Sequence, residues 1–398
     1  MAPLLAPLLA RISKHWFAPV SACFFAVLLA ACAAPPTPPA ATALLRDELF
    51  PAPTSVPDTR SVFAMSNAMK AYADNELATA LRGRDPRRAL IDALYAKGQL
   101  RLDYDGTLTR NAAEAFADRA GNCLSLVIMT ASFARHLGLP TSFQSVLGDD
   151  FYSRSGQLTL ASGHVNLVLD QISRSGFGRE NQQALTVDFL SQDELRGQRT
   201  RPLDEATVVA MYLNNRAAEF LVEGHLSEAY AFARAATLND PGFHAAANTL
   251  GVIYSRAGHL AAAEAAFRRA LAGDARLVSA LSNLARLLLR QGQTAEAAQL
   301  QARLDNLQPV TPFQYFNEGM LAMDAGRFAQ ALELFRRELR MQPFQDEVHF
   351  WVAQAYLKLG ETDRAAKHLQ SAADFSRSRL TRDRYSAKLE HLRSLPRL

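Results

Sequence analysis

The chain has 398 residues, of which 49% are hydrophobic and 21% charged, with a formal net charge of +4. That composition is ordinary for globular protein, and the length allows two or three domains. The small charge, with no run of basic residues interleaved with aromatics, excludes a nucleic-acid track. At the N-terminus, Arg11, Lys14 and His15 precede an apolar run from Trp16 to Ala31. A positive region before a short apolar region reads as an export signal, residues 1–31. The run is short for a membrane span, which needs about 20 apolar residues.

The run ends in Leu29-Ala30-Ala31-Cys32. This tetrapeptide resembles the lipobox of bacterial lipoproteins. The resemblance implies that Cys32 is lipidated and becomes the first residue. Ala33, which is not Asp, implies retention at the outer membrane, on its periplasmic face. A lipid anchor of several chains holds a protein stably on a membrane surface. Cys23, Cys32 and Cys123 are the three cysteines. Cys23 leaves with the signal and Cys32 carries lipid, so Cys123 stands alone and no intramolecular disulfide is available. A lone exported thiol risks oxidation, so its retention needs a reason. Residues 32–57, rich in Ala, Pro and Thr, read as a semi-extended linker.

A helical region is expected from Thr59 to Lys97, broken at Gly83-Arg84-Asp85-Pro86. Then comes "RAGNCLSL", with Cys123. From Leu124 to Leu137 nearly every residue is apolar or small, and Gly138 and Pro140 stop the run. This predicts a buried helix with Asn122 as N-cap, followed by a strand "TSFQSVL". Gly121 permits a tight entry turn. Cys123 then occupies the first helical turn, where the exposed N–H groups and the helix dipole favour a thiolate.

A nucleophilic thiol also wants a base. His136 lies at the far end of the same helix, roughly 20 Å away at 1.5 Å per residue, and reads as a C-terminal helix charge. His164 opens the strand-like "HVNLVLD" and shares a face with Asn166. In "ALTVDFL", Asp188 sits between Val187 and Phe189. A carboxylate in a core strand is costly unless paired, and orienting His164 satisfies it.

"GNCLSL", "HVNLV" and "TVDFL", in that order, resemble the three motifs of the transglutaminase-like superfamily, a branch of the papain-like cysteine enzymes. The upstream "LDYDGTLTRNAAEAFADRAGNC" resembles its bacterial members. The resemblance implies an α+β papain/transglutaminase-like domain over residues 58–200. It also implies a catalytic triad of Cys123 as nucleophile, His164 as acid/base and Asp188 as orienter, with the Cys123 N–H as oxyanion donor. Many transglutaminases carry Trp directly after the cysteine. Here it is Leu124, which leaves the second oxyanion donor unassigned.

From Leu203 onward the chain is helical and repetitive. Gly224, Gly258, Gly292, Gly326 and Gly360 recur every 34 residues. Ala229, Ala263, Ala297, Ala331 and Ala365 follow at a constant offset, and Ala217, Gly251, Ala285, Gly319 and Ala353 precede at another. The pattern resembles the tetratricopeptide repeat. Small residues let the two helices of each unit approach, and the glycine ends the first helix. An aromatic slot holds Phe220, Tyr254 and Tyr356; Leu288 and Ala322 depart from it. Five units are expected within residues 201–379, with a basic capping helix over 380–398, forming an all-α solenoid after the α+β domain. Such arrays bind proteins or peptides.

No paired His or Cys at ligand spacing, P-loop or Gly-rich dinucleotide fingerprint is present, so neither metal nor cofactor is expected. Two functions fit. One is a thiol enzyme that cleaves amides or transfers acyl groups (protease, deamidase or transamidase), with the repeats recruiting a protein or peptide. The other is a catalytically idle, lipid-anchored scaffold acting through its repeats.

Overall fold

The computed structural model describes residues 42–95, 102–155, 158–170, 184–189, 199–307, 313–376 and 378–394, with backbone alone for 147–155 and 158–162. Of the unit Met1–Ala43 only Thr42 and Ala43 are described; the unit Leu44–Leu398 holds everything below. The expected export signal, Cys23 and Cys32 lie outside the described residues.

Helix α1 joins Asn67–Tyr72, a π-helical turn Ala73–Leu77 and Ala78–Ala80. The Ser66 side chain caps it by accepting from Met69 N. Gly83, at φ 71°, breaks the run. Helix α2 (Pro86–Tyr95) then starts on a proline, whose missing N–H costs nothing in the first turn. A short strand β1 (Asp103–Tyr104) pairs in parallel with β2 (Ala120–Gly121), so Tyr104 lies opposite Gly121. Between them α3 (Ala112–Asp118) opens on a capping box of Asn111 and Glu114 and ends at Arg119 in the left-handed region.

Helix α4 (Cys123–His136) follows β2 directly. Every residue from Leu124 to Ala134 is buried, as expected of a helix apolar on all faces and enclosed by other elements. It ends where Gly138 takes φ 73° and Leu139 N donates to Ala134 O. The sheet combines β3 (Thr141–Ser155), β4 (Leu158–Leu169), β5 (Leu185–Val187) and β6 (Arg199–Leu203), antiparallel in the order β5-β4-β3-β6. The N-terminal region is thus α+β. Val127, Ile128 and Phe133 of α4 share one core with Val165 and Leu167 of β4 and Val187 of β5.

The rest is helical: α5 (Glu205–Glu223), α6 (Leu226–Asn239), α7 (His244–Arg256), α8 (Leu260–Gly273), α9 (Val278–Arg290), α10 (Thr294–Leu307), α11 (Gln314–Asp324), α12 (Phe328–Met341), α13 (Asp346–Lys358), α14 (Thr362–Phe375) and α15 (Arg379–Ser394). The first helix of each pair ends at one of the periodic glycines, all with φ between 71° and 86°. Those positions demand glycine, because a Cβ strains the left-handed backbone. The earlier small residues serve a different need. A Cβ on Gly251 would fall 2.4 Å from the Phe267 ring, and one on Gly319 the same distance from Phe335. Each ring fills the space the missing side chain leaves, and burying it contributes roughly 1.5–3 kcal/mol. Where the pattern runs thin, at the start of α11, the buried Glu338 carboxylate accepts from Phe313 N (3.1 Å) and Phe316 N (3.2 Å) and so caps that helix.

The expected linker through residue 57 requires correction. From Leu44 to Thr54 the chain is seated on the array. Phe50 stacks on Tyr230 (centroids 4.4 Å, 12° between planes). Tyr230 donates its hydroxyl to Asp47 and accepts from Arg46 N, and Tyr254 donates to Leu44 O. Thr54 donates through both its N–H and its hydroxyl to Glu228. A Pro-rich composition signals an extended chain, but it does not reveal that one aromatic and a few backbone groups find partners nearly two hundred residues away.

Candidate active site

The Cys123 thiol stands at the N-terminus of α4, half-buried and free of disulfide. Its position is built locally. The Asn122 side chain accepts from Ser125 N (2.9 Å) and from the Ser125 hydroxyl (2.9 Å). Gly121 is required just before it, through close approach and not through a positive φ. A Cβ there would lie 2.7 Å from Ser125 Cβ, so only glycine lets β2 run this close to the first helical turn. The Tyr104 hydroxyl, brought alongside by the β1–β2 pairing, lies 3.3 Å from Cys123 Sγ.

His164 is on β4, opposite Val146 of β3, and only 3% exposed. Asp188 follows the last residue of β5. Its Oδ1 is 2.7 Å from His164 Nε2. The Cys123 thiol is close enough to hydrogen-bond the same ring. The electrostatics follow. Burial alone pushes an imidazole towards the neutral form; the hydrogen bonds to Asp188 and Cys123, with the electrostatic pull of both groups, outweigh it and raise His164 to about 9. At neutral pH the ring is an imidazolium between two acidic groups. Phe189, the residue after Asp188, packs on Tyr95 (centroids 5.1 Å), whose hydroxyl bonds Thr130 of α4 (2.5 Å). The carboxylate's segment is thereby tied to the cysteine's own helix.

The structure therefore brings Cys123, His164 and Asp188 together. His136 stays at the other end of α4, 2.9 Å from Asp74. Asn166, two residues beyond His164, is 4% exposed, and its Oδ1 has no hydrogen-bond partner among the described residues. Three further residues were not singled out in the sequence. Glu219 of α5 accepts from Thr109 N (2.7 Å) and holds Arg216 (2.6 Å). The Thr109 hydroxyl in turn accepts from Asn122 Nδ2 (2.8 Å). A hydrogen-bonded chain thus runs from the first array helix to the cap of the cysteine helix. Tyr104 and Thr109 lie in the upstream stretch that carries the resemblance, but their contacts and that of Glu219, across 19, 13 and 110 residues, have no local period that would single them out.

The tetratricopeptide repeat family model matches residues 248–309 and 316–379. The helical array is a tetratricopeptide-repeat solenoid. No curated protein matches the chain. Among solved structures, the chain is similar to PilF of Pseudomonas aeruginosa, at 24% identity and TM-score 0.27, covering 48% of this chain and 92% of that one. It is similar to MamA (18% identity, TM-score 0.24, covering 49% of this chain and 100% of that one). A third is YrrB, described as a TPR protein with an unusual peptide-binding site (20% identity, TM-score 0.25, covering 45% and 92%).

Proposed function

We propose that the protein is a cysteine-dependent, amide-cleaving or acyl-transferring enzyme of transglutaminase-like type. In this reading it is anchored through Cys32 to the periplasmic face of the outer membrane, and its repeats recruit a protein or peptide. The observation that carries this is the meeting of Cys123, His164 and Asp188, with an ionised imidazole between thiol and carboxylate. The Cys123 thiolate attacks a carbonyl carbon. His164 gives its proton to the departing amine, and Asp188 keeps the ring oriented. The thioester is then released to water or to a second amine. Stacked repeats of this kind present extended binding surfaces for proteins or peptides, which supports the recruiting role.

The test is alkylation of the signal-free protein by iodoacetamide. A free thiol, with its ordinary value of about 8.5, reacts slowly at pH 6.5. Rapid modification of Cys123 at that pH, slowed at least tenfold by His164→Ala, is the expected result. If Cys123 reacts only after unfolding, the scaffold is the better reading. The scaffold also predicts that Cys123→Ser leaves function intact.

A further inference from the structure

We propose that the Tyr104 hydroxyl is the second oxyanion donor of this site, a role resting on the thiol reading above. Acyl chemistry at Cys123 creates a tetrahedral adduct whose oxygen takes the negative charge. One donor is built in: the N–H groups of a first helical turn have no acceptor within the helix, and that of Cys123 is next to the reacting sulfur. The residue after the cysteine is Leu124, whose side chain has no donor to offer.

Tyr104 fits the second place by position and by stiffness. Its hydroxyl is 3.3 Å from Sγ. In the adduct the oxyanion sits two bonds from that sulfur. A donor touching Sγ can therefore come within the roughly 3 Å that an effective donor needs when the carbonyl adds with its oxygen on the Tyr104 side. The backbone fixes this placement. Asp103 N donates to Arg119 O (2.9 Å) and Asp105 N to Gly121 O (3.0 Å), which clamp Tyr104 from both sides onto the strand leading into Cys123. Asp105 and Arg110 form a further ion pair (2.9 Å). With two side-chain torsions on a pinned backbone, the phenol needs little reorganisation during reaction.

The chemistry can be tested without knowing the natural substrate. With p-nitrophenyl acetate, the thiolate attacks the carbonyl carbon and a C–S bond forms. The π pair moves onto oxygen, which accepts hydrogen bonds from Tyr104 O–H and Cys123 N–H. Collapse expels p-nitrophenolate and leaves acetyl-Cys123. Iodoacetamide reacts at the same sulfur by displacing iodide from a saturated carbon, so no oxyanion arises. Tyr104→Phe keeps the ring and removes the donor. The expected result is a fall of roughly 10²–10³-fold in the acetylation rate, an alkylation rate within about threefold of the parent protein's, and an unchanged melting temperature. Equal losses in both reactions would mean that Tyr104 merely holds the resting sulfur, and undiminished acetylation would mean that it does not act on the oxyanion; either overturns the inference. If the unmutated protein is never acetylated on Cys123, the thiol reading itself fails, and this role falls with it.

Discussion

Histidines are buried in both regions, and the two regions treat them oppositely. In the α+β region, His164 lies between Asp188 and Cys123 and is raised to about 9. In the array, His349 of α13 donates from Nε2 to Pro343 O, and its Nδ1 is 3.0 Å from His368 Nδ1. The two rings stack, and Tyr356 stacks on His368. Burial first, then the charges of His349 and Arg336, hold His368 down to about 4. Burial is common to both. What differs is that a buried carboxylate faces one ring, and aromatic rings and another imidazole face the other. The first arrangement holds a proton ready at neutral pH. The second is packing.

The largest expected effect comes from making the first site resemble the second. Asp188→Ala leaves a buried imidazole without its carboxylate. Breaking such a pair costs about 3–5 kcal/mol, and alkylation of Cys123 at pH 6.5 should fall by roughly 10²-fold or more. Chemical denaturation and timed alkylation read the two effects. Equal reactivity in the variant would sink the electrostatic account.

Next, the array should be breakable without touching the thiol. Phe335→Ala should cost about 3–5 kcal/mol, and Gly319→Ala about 1–3 kcal/mol by overpacking against that ring. Because the new methyl would occupy the space Phe335 vacates, the double variant should be less destabilised than the two losses added together. Alkylation at pH 6.5 should stay at the parent rate in all three. Strictly additive losses would show that the 2.4 Å clash is relieved elsewhere.

Glu219→Ala probes the seam between the regions. It strands Thr109 N and Arg216, at a cost of about 1–3 kcal/mol. By loosening the Asn122 cap it should also slow alkylation. A stability loss with unaltered alkylation would show that the hydrogen-bonded chain is structural only.

The smallest effects are in pH dependence, and they have opposite signs. The folded protein binds the His164 proton more tightly than the unfolded chain does. The stability it contributes is therefore full below about 6.5 and lost as pH rises through about 9. His368 binds its proton less tightly when folded, so its contribution is present above about 6.5 and lost as pH falls through about 4. Hydrogen exchange should show protection of Leu158–Leu169 weakening towards alkaline pH and that of Thr362–Phe375 towards acid. Matching trends in the two segments would remove the contrast.

Local rules made much of this legible. Asn122 before an apolar run announces the helix that Cys123 opens, because capping and burial are set by neighbours in sequence. The glycines every 34 residues announce the array, because each marks a left-handed helix end. The chain order of Cys123, His164 and Asp188, and the contexts that single them out, are likewise readable. Other features are not. The docking of Leu44 to Thr54 on Tyr230 and Tyr254, the Glu219–Thr109–Asn122 chain and the approach of Tyr104 to Sγ have no sequence signature. Sequence alone determined the helical repeats and the types of residue offered for chemistry, since periodicity and caps act over a few residues. Only the tertiary structure decided that a thiol, an imidazole, a carboxylate and a phenol share one site. Strand pairing and packing across distant segments set those distances, and no local propensity encodes them.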